Sequence, residues 1–175
     1  MAPIGLFALA FVPMLLEARL AARNERALRR AGAVEPPDDV YPVMQVAYPV
    51  AFAAMVLEAW LRGAPPRSVL VAGLCVFLAA KALKYWAVAT LGSRWTFRVL
   101  VVPRAPLVRR GPYRLLRHPN YVAVVGELGG MALLAAAPVA GACAVGTFSL
   151  IILARIAVEE RALGLPSPLA RRVVR

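Results

Sequence analysis

Residues 119–154, PNYVAVVGELGGMALLAAAPVAGACAVGTFSLIILA, hold 36 positions with a single charge, Glu127. As one helix this stretch would run roughly 54 Å at about 1.5 Å per residue, against a hydrocarbon thickness of about 30 Å. It must therefore turn back, and Pro138 with Gly141, in Ala135-Ala-Ala-Pro-Val-Ala-Gly141, marks the reversal. The reading is a helical hairpin in lipid, with helices over 119–136 and 139–160.

Toward the N-terminus the same pattern repeats. Ala2–Leu16 and Val40–Leu57 are uncharged runs closed by Glu17 and Glu58, and Ser68–Ala80 joins Tyr85–Ser93 across Lys81–Lys84. A span takes about 20 residues, so these give three further helices over about 3–22, 41–61 and 68–91. The expected fold is an all-α integral membrane protein of about five transmembrane helices in one membrane domain, 1–175. Residues 1–91 form a three-helix N-terminal part; 92–175 hold a loop, the hairpin and a short tail. The first run lacks a preceding positive region, its charges follow it, and it reads as a retained helix rather than a signal peptide.

Composition agrees: 61% of residues are hydrophobic, 17% charged, and mean hydropathy is +0.69. A soluble domain carries about a quarter charged residues. The net charge of +12 raises a nucleic-acid reading, but such binders present Lys and Arg on a polar surface that this chain lacks, so no nucleic-acid partner is expected. The charge sorts by topology instead. Arg19, Arg23, Arg26, Arg29 and Arg30 close helix 1, seven arginines from Arg94 to Arg117 precede helix 4, and Arg155, Arg161, Arg171, Arg172 and Arg175 follow helix 5. Alternate connections are thus basic, which puts the N-terminus outside and the C-terminus in the cytoplasm. Nineteen arginines against two lysines, with abundant Ala, point to a GC-rich, bacterial source and hence a bacterial cytoplasmic membrane. Cys75 and Cys143 lie in apolar runs and read as inert core thiols, and no Cys/His spacing calls for a metal.

Chemistry concentrates in Gly111-Pro-Tyr-Arg-Leu-Leu-Arg-His-Pro-Asn-Tyr121. Pro119 suits the first helical position, which makes His118 the N-cap of helix 4 and places Asn120 and Tyr121 in its first turn. Free N–H groups and the positive dipole end can hold a carboxylate or phosphate there, with Arg114 and Arg117 reinforcing them. On spacing alone the plainer reading, a cap beside positive-inside charges, is favoured. In Arg155-Ile-Ala-Val-Glu159-Glu160, Arg155 and Glu159 are i,i+4 neighbours while Glu160 points about 100° away. One acid is expected to pair within the helix and the other to remain free, either solvated or holding a cationic or hydroxyl-rich cofactor. Glu127 lies about 12 Å along helix 4 from Pro119, inside the apolar zone, where a carboxylate needs a partner or a cavity. Lys81 and Lys84 are its natural partners, in a catalytic site or in an ion pair that fixes packing. Gly126 and Gly130 form a face for close helix contact. Tyr85, Trp86, Trp95 and Phe97 read as interfacial belt residues.

From about Lys84 to Leu163 the sequence resembles the isoprenylcysteine carboxyl methyltransferase-like membrane family. The resemblance is carried by Leu91-Gly-Ser-Arg-Trp95, Ala105-Pro-Leu, Gly111-Pro-Tyr-Arg, Arg117-His-Pro-Asn-Tyr121 and Arg155-Ile-Ala-Val-Glu-Glu160. It implies an S-adenosylmethionine-dependent methyltransferase with its cofactor at the cytoplasmic side and a lipophilic acceptor arriving from the bilayer. Carried over position by position, it makes Arg117, His118 and Tyr121 cofactor-pocket residues and Arg155, Glu159 and Glu160 cofactor or acceptor contacts. Two departures stand out: Ala123 replaces a frequent Gly two residues after the motif tyrosine, and only 15 residues follow Glu160, so any lid from that segment is reduced.

Methyl transfer is an in-line displacement that needs alignment above all. A carboxylate acceptor needs no base; an un-ionised enol or phenol does, and His118 or Glu127 is then the catalytic candidate. The acceptor expected is a prenylated carboxylate or an alkylpyrone- or alkylresorcinol-like polyketide lipid. Two other classes compete: an NADPH-dependent sterol or steroid-type reductase with a similar Arg-His-x-Asn-Tyr helix start, and a non-enzymatic membrane scaffold or carrier that binds neither cofactor.

Overall fold

The computed structural model describes residues 3–165. Five α-helices run α1 Pro3–Arg30, α2 Tyr41–Arg62, α3 Arg67–Leu91, α4 Pro119–Leu134 and α5 Pro138–Ala162, with short 3-10 turns at Gly92–Arg94 and Gly111–Arg114. The described residues form no sheet; one isolated antiparallel bridge links Val34 to Val101. The chain is an integral membrane protein: α1, α2, α3 and α5 are long and apolar enough to cross a bilayer. The expected fourth span is shorter than a full crossing, since the 16 residues of α4 reach only about 24 Å at about 1.5 Å per residue.

Local chemistry sets the boundaries. α1 continues to Arg30, past the expected end near residue 22, because Ala, Leu, Arg and Glu dominate residues 17–30 and all are good helix formers. It stops at Gly32, whose φ of +80° suits glycine. Asp39 accepts a hydrogen bond from Tyr41 N at the start of α2 (3.1 Å), and Pro65-Pro66 separates α2 from α3. The hairpin turn spans Ala135–Ala137, with Ala136 at φ +48°, and Pro138, expected to mark the reversal ahead of a helix from 139, is the first residue of α5. Gly141 is not part of the turn. It lies inside α5, where an added Cβ would come within 2.3 Å of Ala132 Cβ, so its role is close approach.

The most extensive helix–helix contact is between α3 and α4. A Cβ at Gly130 would meet Phe77 N at 2.6 Å, one at Gly126 would meet Ala80 Cβ at 2.9 Å, and one at Gly73 would meet Leu134 N at 2.8 Å. The small-residue face read from the sequence is thus used from both sides. Phe52 and Met55 of α2, Phe77 of α3, Leu128 and Met131 of α4 and Phe148 of α5 fill the space between the helices. Cys75 and Cys143 are exposed on the outside of the bundle rather than in its core, and both are free thiols.

Connections alternate between two ends. At one end the α1–α2 connection meets the segment before α4 and the end of α5, through Val34–Val101, Arg155–Asp39 and Arg161–Asp38. At the other, Glu58 near the end of α2 accepts from Ala140 N in the first turn of α5 (2.7 Å). The first end gathers the arginine-rich connections. The basic tail from residue 166 onward lies outside the described residues.

Candidate active site at the basic end

The long segment between α3 and α4 is held by side chains of other elements. Asn24, buried on the extended part of α1, donates to Trp95 O (2.8 Å) and Gly92 O (3.2 Å). Arg98 pairs with Glu35 (2.6 Å) and Val99 N donates to Asp39 (2.9 Å). Gly111 sits at φ +56°, and a Cβ there would come within 2.4 Å of Thr90 Oγ1, so backbone and packing both require glycine before Pro112 and Tyr113. Trp95 is 2% exposed and buried, unlike Tyr85 and Trp86, which stay on the outer surface as belt residues do.

These elements enclose a cavity of about 810 Å³. Its lining includes the apolar Leu28, Leu91, Leu107 and Leu163 together with Tyr113, His118, Asn120, Tyr121, Arg155 and Glu159, and several arginines, Arg94, Arg109, Arg114 and Arg117 among them. Its size falls within the roughly 300–1,000 Å³ usual for small-molecule sites. Burial, helped by the charge of Glu159, pushes the Tyr113 phenol well above its ordinary value, so it remains a neutral donor.

His118 is the N-cap residue of α4, as expected, but its side chain makes no capping bond. Its ring reaches α5 instead: Nδ1 lies 3.5 Å from Glu159 Oε2 and Nε2 lies 3.3 Å from Glu160 Oε1. Burial works against charge on the ring, yet the two acids, Glu159 foremost, outweigh it and hold the imidazole pKa above its ordinary 6.5. Arg117 pairs with Glu160 (3.3 Å). The ring of Tyr121 stacks on His118, and its hydroxyl donates to Glu159 Oε2 (2.7 Å).

The expected i,i+4 pair of Arg155 and Glu159 is not formed. Arg155, 4% exposed, turns to Asp39 (2.7 Å), to the Phe97 carbonyl, and through Nε to the Tyr121 oxygen (2.9 Å). Asp39 outcompetes Glu159 because its side chain is itself buried and, among the described residues, pairs with no other cation. Neither acid of the Glu159-Glu160 pair is left without a contact, although Glu160 Oε2 has no hydrogen-bond partner among the described residues.

Glu127 sits elsewhere, 1% exposed and absent from the cavity wall. Lys81 and Lys84 both lie 3.1 Å from its carboxylate, as the spacing foresees, and Tyr48 donates to it (2.5 Å). Both lysines also reach Glu17 of α1, each at 2.8 Å, a partner the sequence reading did not assign. The cavity residues it missed are Tyr113 and Asn120, and it also missed Asp39, which lies behind the cavity as the partner of Arg155. For Asp39 a signal existed: Asp38-Asp39 is an acidic pair in a connection at an otherwise basic end.

The geometry defines a membrane protein with one polar and apolar cavity at its basic end, built on the start of α4 and the end of α5. Residues 71–164 match the profile of the isoprenylcysteine carboxyl methyltransferase (ICMT) family, more than half of the chain, and the chain belongs to that methyltransferase family. Among its relatives, a Bacillus subtilis (strain 168) protein, "Uncharacterized protein YpbQ", is 33% identical over 159 residues, covering 90% of this chain and 94% of the relative. A Haemophilus influenzae protein named only "Uncharacterized protein" is 26% identical over 145 residues, 82% of this chain and 84% of its own. No solved structure matches.

Proposed function

We propose that the chain is an S-adenosylmethionine-dependent O-methyltransferase acting on a lipophilic acceptor at the cytoplasmic face of a bacterial membrane. The observation that carries the reading is the cavity of about 810 Å³, whose lining brings the motif residues Tyr113, His118, Asn120, Tyr121, Arg155 and Glu159 together with apolar side chains. The cofactor has an amino-acid head, a ribose and an adenine, and so needs acceptors, donors and flat apolar surface together. The donor set fits it. Trp95 Nε1 and Asn120 Oδ1 belong to cavity residues and are buried without partners among the described residues, one a donor and one an acceptor. Glu159 and Asn120 would hold the ammonium or ribose hydroxyls, and the arginines and Trp95 would hold carboxylate or ring acceptors. When bound, S-adenosylmethionine supplies a methyl group on a sulfonium, open to in-line displacement.

The protein's own contribution is alignment and exclusion of water. His118 lies between two carboxylates that raise its pKa above the ordinary value, which favours its protonated form and weakens the case for it as a base. Glu127, ion-paired outside the cavity, has packing as its role in this reading. This reading favours an acceptor that arrives already ionised, an isoprenylcysteine carboxylate or an acidic alkylpyrone-like enol ahead of an alkylresorcinol phenol.

Binding by the purified protein in nanodiscs tests this. S-adenosylmethionine is expected to raise the melting temperature and NADPH to leave it unchanged. Glu159→Gln should weaken S-adenosylmethionine binding about tenfold or more, the scale of one hydrogen bond to a charged group. A wild-type protein that binds no S-adenosylmethionine overturns the reading.

A further inference from the structure

Asp39 lies outside the residues matched by the family profile and comes from the connection between α1 and α2. Its side chain is 3% exposed and gathers three donors from three parts of the chain. Oδ1 accepts from Arg155 Nη1 (2.7 Å) and from Tyr41 N (3.1 Å), and Oδ2 accepts from Val99 N (2.9 Å). Arg155 places its other terminal nitrogen on the Phe97 carbonyl, which leaves Nε pointing at the Tyr121 oxygen (2.9 Å).

A phenol has one proton. Because Arg155 Nε donates to its oxygen, Tyr121 directs that proton to Glu159 Oε2 (2.7 Å), the oxygen that also faces His118. Among the described residues no side chain hydrogen-bonds Glu159 Oε1, so the acid presents one oxygen on the cavity wall while the other is fixed. We propose that Asp39 is a positioning residue of the methyltransferase site: through Arg155 and Tyr121 it sets the orientation of Glu159 toward the cofactor. The proposal rests on the methyltransferase reading for what Glu159 binds, and on the hydrogen-bond chain alone for how Asp39 acts.

The test uses the full chain in nanodiscs with Asp39→Asn, which keeps the size and an acceptor oxygen but removes the charge. His118 is the single histidine, so its imidazole signal is read by NMR without ambiguity. The groups that bear on it are Glu159 and Glu160 of α5 and Arg117 and Tyr121 beside it. Loss of the Asp39 charge leaves Arg155 uncompensated, and the His118 titration midpoint is expected to fall below the wild-type midpoint. The Kd for S-adenosylmethionine should rise about tenfold or more, with KM following it and kcat changing less. In a Tyr121→Phe background the same substitution should add little, since the intermediary is gone.

An unchanged His118 midpoint, or effects on Kd that add fully in the Tyr121→Phe background, overturns the proposal and leaves Asp39 a loop tie. Should Asp39→Asn fail to fold, Arg155→Lys tests the chain from the other side. It keeps the charge beside Asp39 but lacks the Nε that reaches Tyr121, so weakened cofactor binding supports the proposal and wild-type binding overturns it. A wild-type protein that binds no cofactor defeats the methyltransferase reading alone, because the His118 midpoint still reports whether Asp39 acts through Arg155.

Discussion

His118 shows how far residue-level reading reaches. Pro119 identifies it as the N-cap, and the structure keeps it there, but its side chain serves the acids of α5 instead of the helix end. Its pKa in the folded protein is raised above the ordinary 6.5, so its proton-linked stabilisation is complete below about pH 6.5 and is lost as pH rises through the folded value. The melting temperature of the wild type is expected to decline through that window, and His118→Gln to remove this part of the decline; an identical pH profile in the variant would refute it. Arg155 marks the limit of local reasoning. Helical spacing offers Glu159 as its partner, and an acid 116 residues away takes the place, because a buried guanidinium is satisfied by whichever carboxylate the fold buries beside it.

At the level of elements, glycine spacing in α4 is readable and its use is not. Gly126 and Gly130 mark a contact face from the sequence, while their neighbour Gly129 looks the same by type. In the structure nothing lies within 4 Å of a Cβ added at Gly129, whereas one at Gly130 meets backbone of Phe77 at 2.6 Å. Gly130→Ala is expected to cost about 1–3 kcal/mol by overpacking α3 against α4. Gly129→Ala should stabilise by roughly 0.5–1 kcal/mol through lower chain entropy. Denaturation of both variants in detergent checks the pair, and equal stabilities would contradict the packing. The end of α1 was legible only in part: hydropathy stops near residue 22, but the helix formers beyond it extend to Arg30, and this extension delivers Asn24 and Leu28 to the site.

Across the whole molecule, Glu17, Tyr48, Lys81 with Lys84, and Glu127 come from α1, α2, α3 and α4 and meet in one buried cluster. Two acids and two lysines balance in charge, which is what tolerates them between apolar helices. Removing one partner strands a charge. Glu17→Gln is expected to destabilise by about 3–5 kcal/mol, and adding Lys81→Gln to recover part of that loss. Unfolding of the single and double variants in detergent decides it, and strict additivity would deny the coupling. The lysine pair and Glu127 are visible in the sequence because charges inside apolar runs demand partners. Glu17 is not, because it sits where an apolar run ends and reads as a boundary.

By itself the sequence determined the helices, their alternation and the motif residues at the start of α4 and the end of α5, because apolar length, proline placement and charge sorting act locally along the chain. Tertiary structure alone decided the partners: Asp39 for Arg155, Glu17 for the lysines, Tyr121 for Glu159, and Leu28 for the cavity wall. The reason is that a buried charge or donor is satisfied by what packing brings within about 3 Å of it, and chain distance carries no information about that.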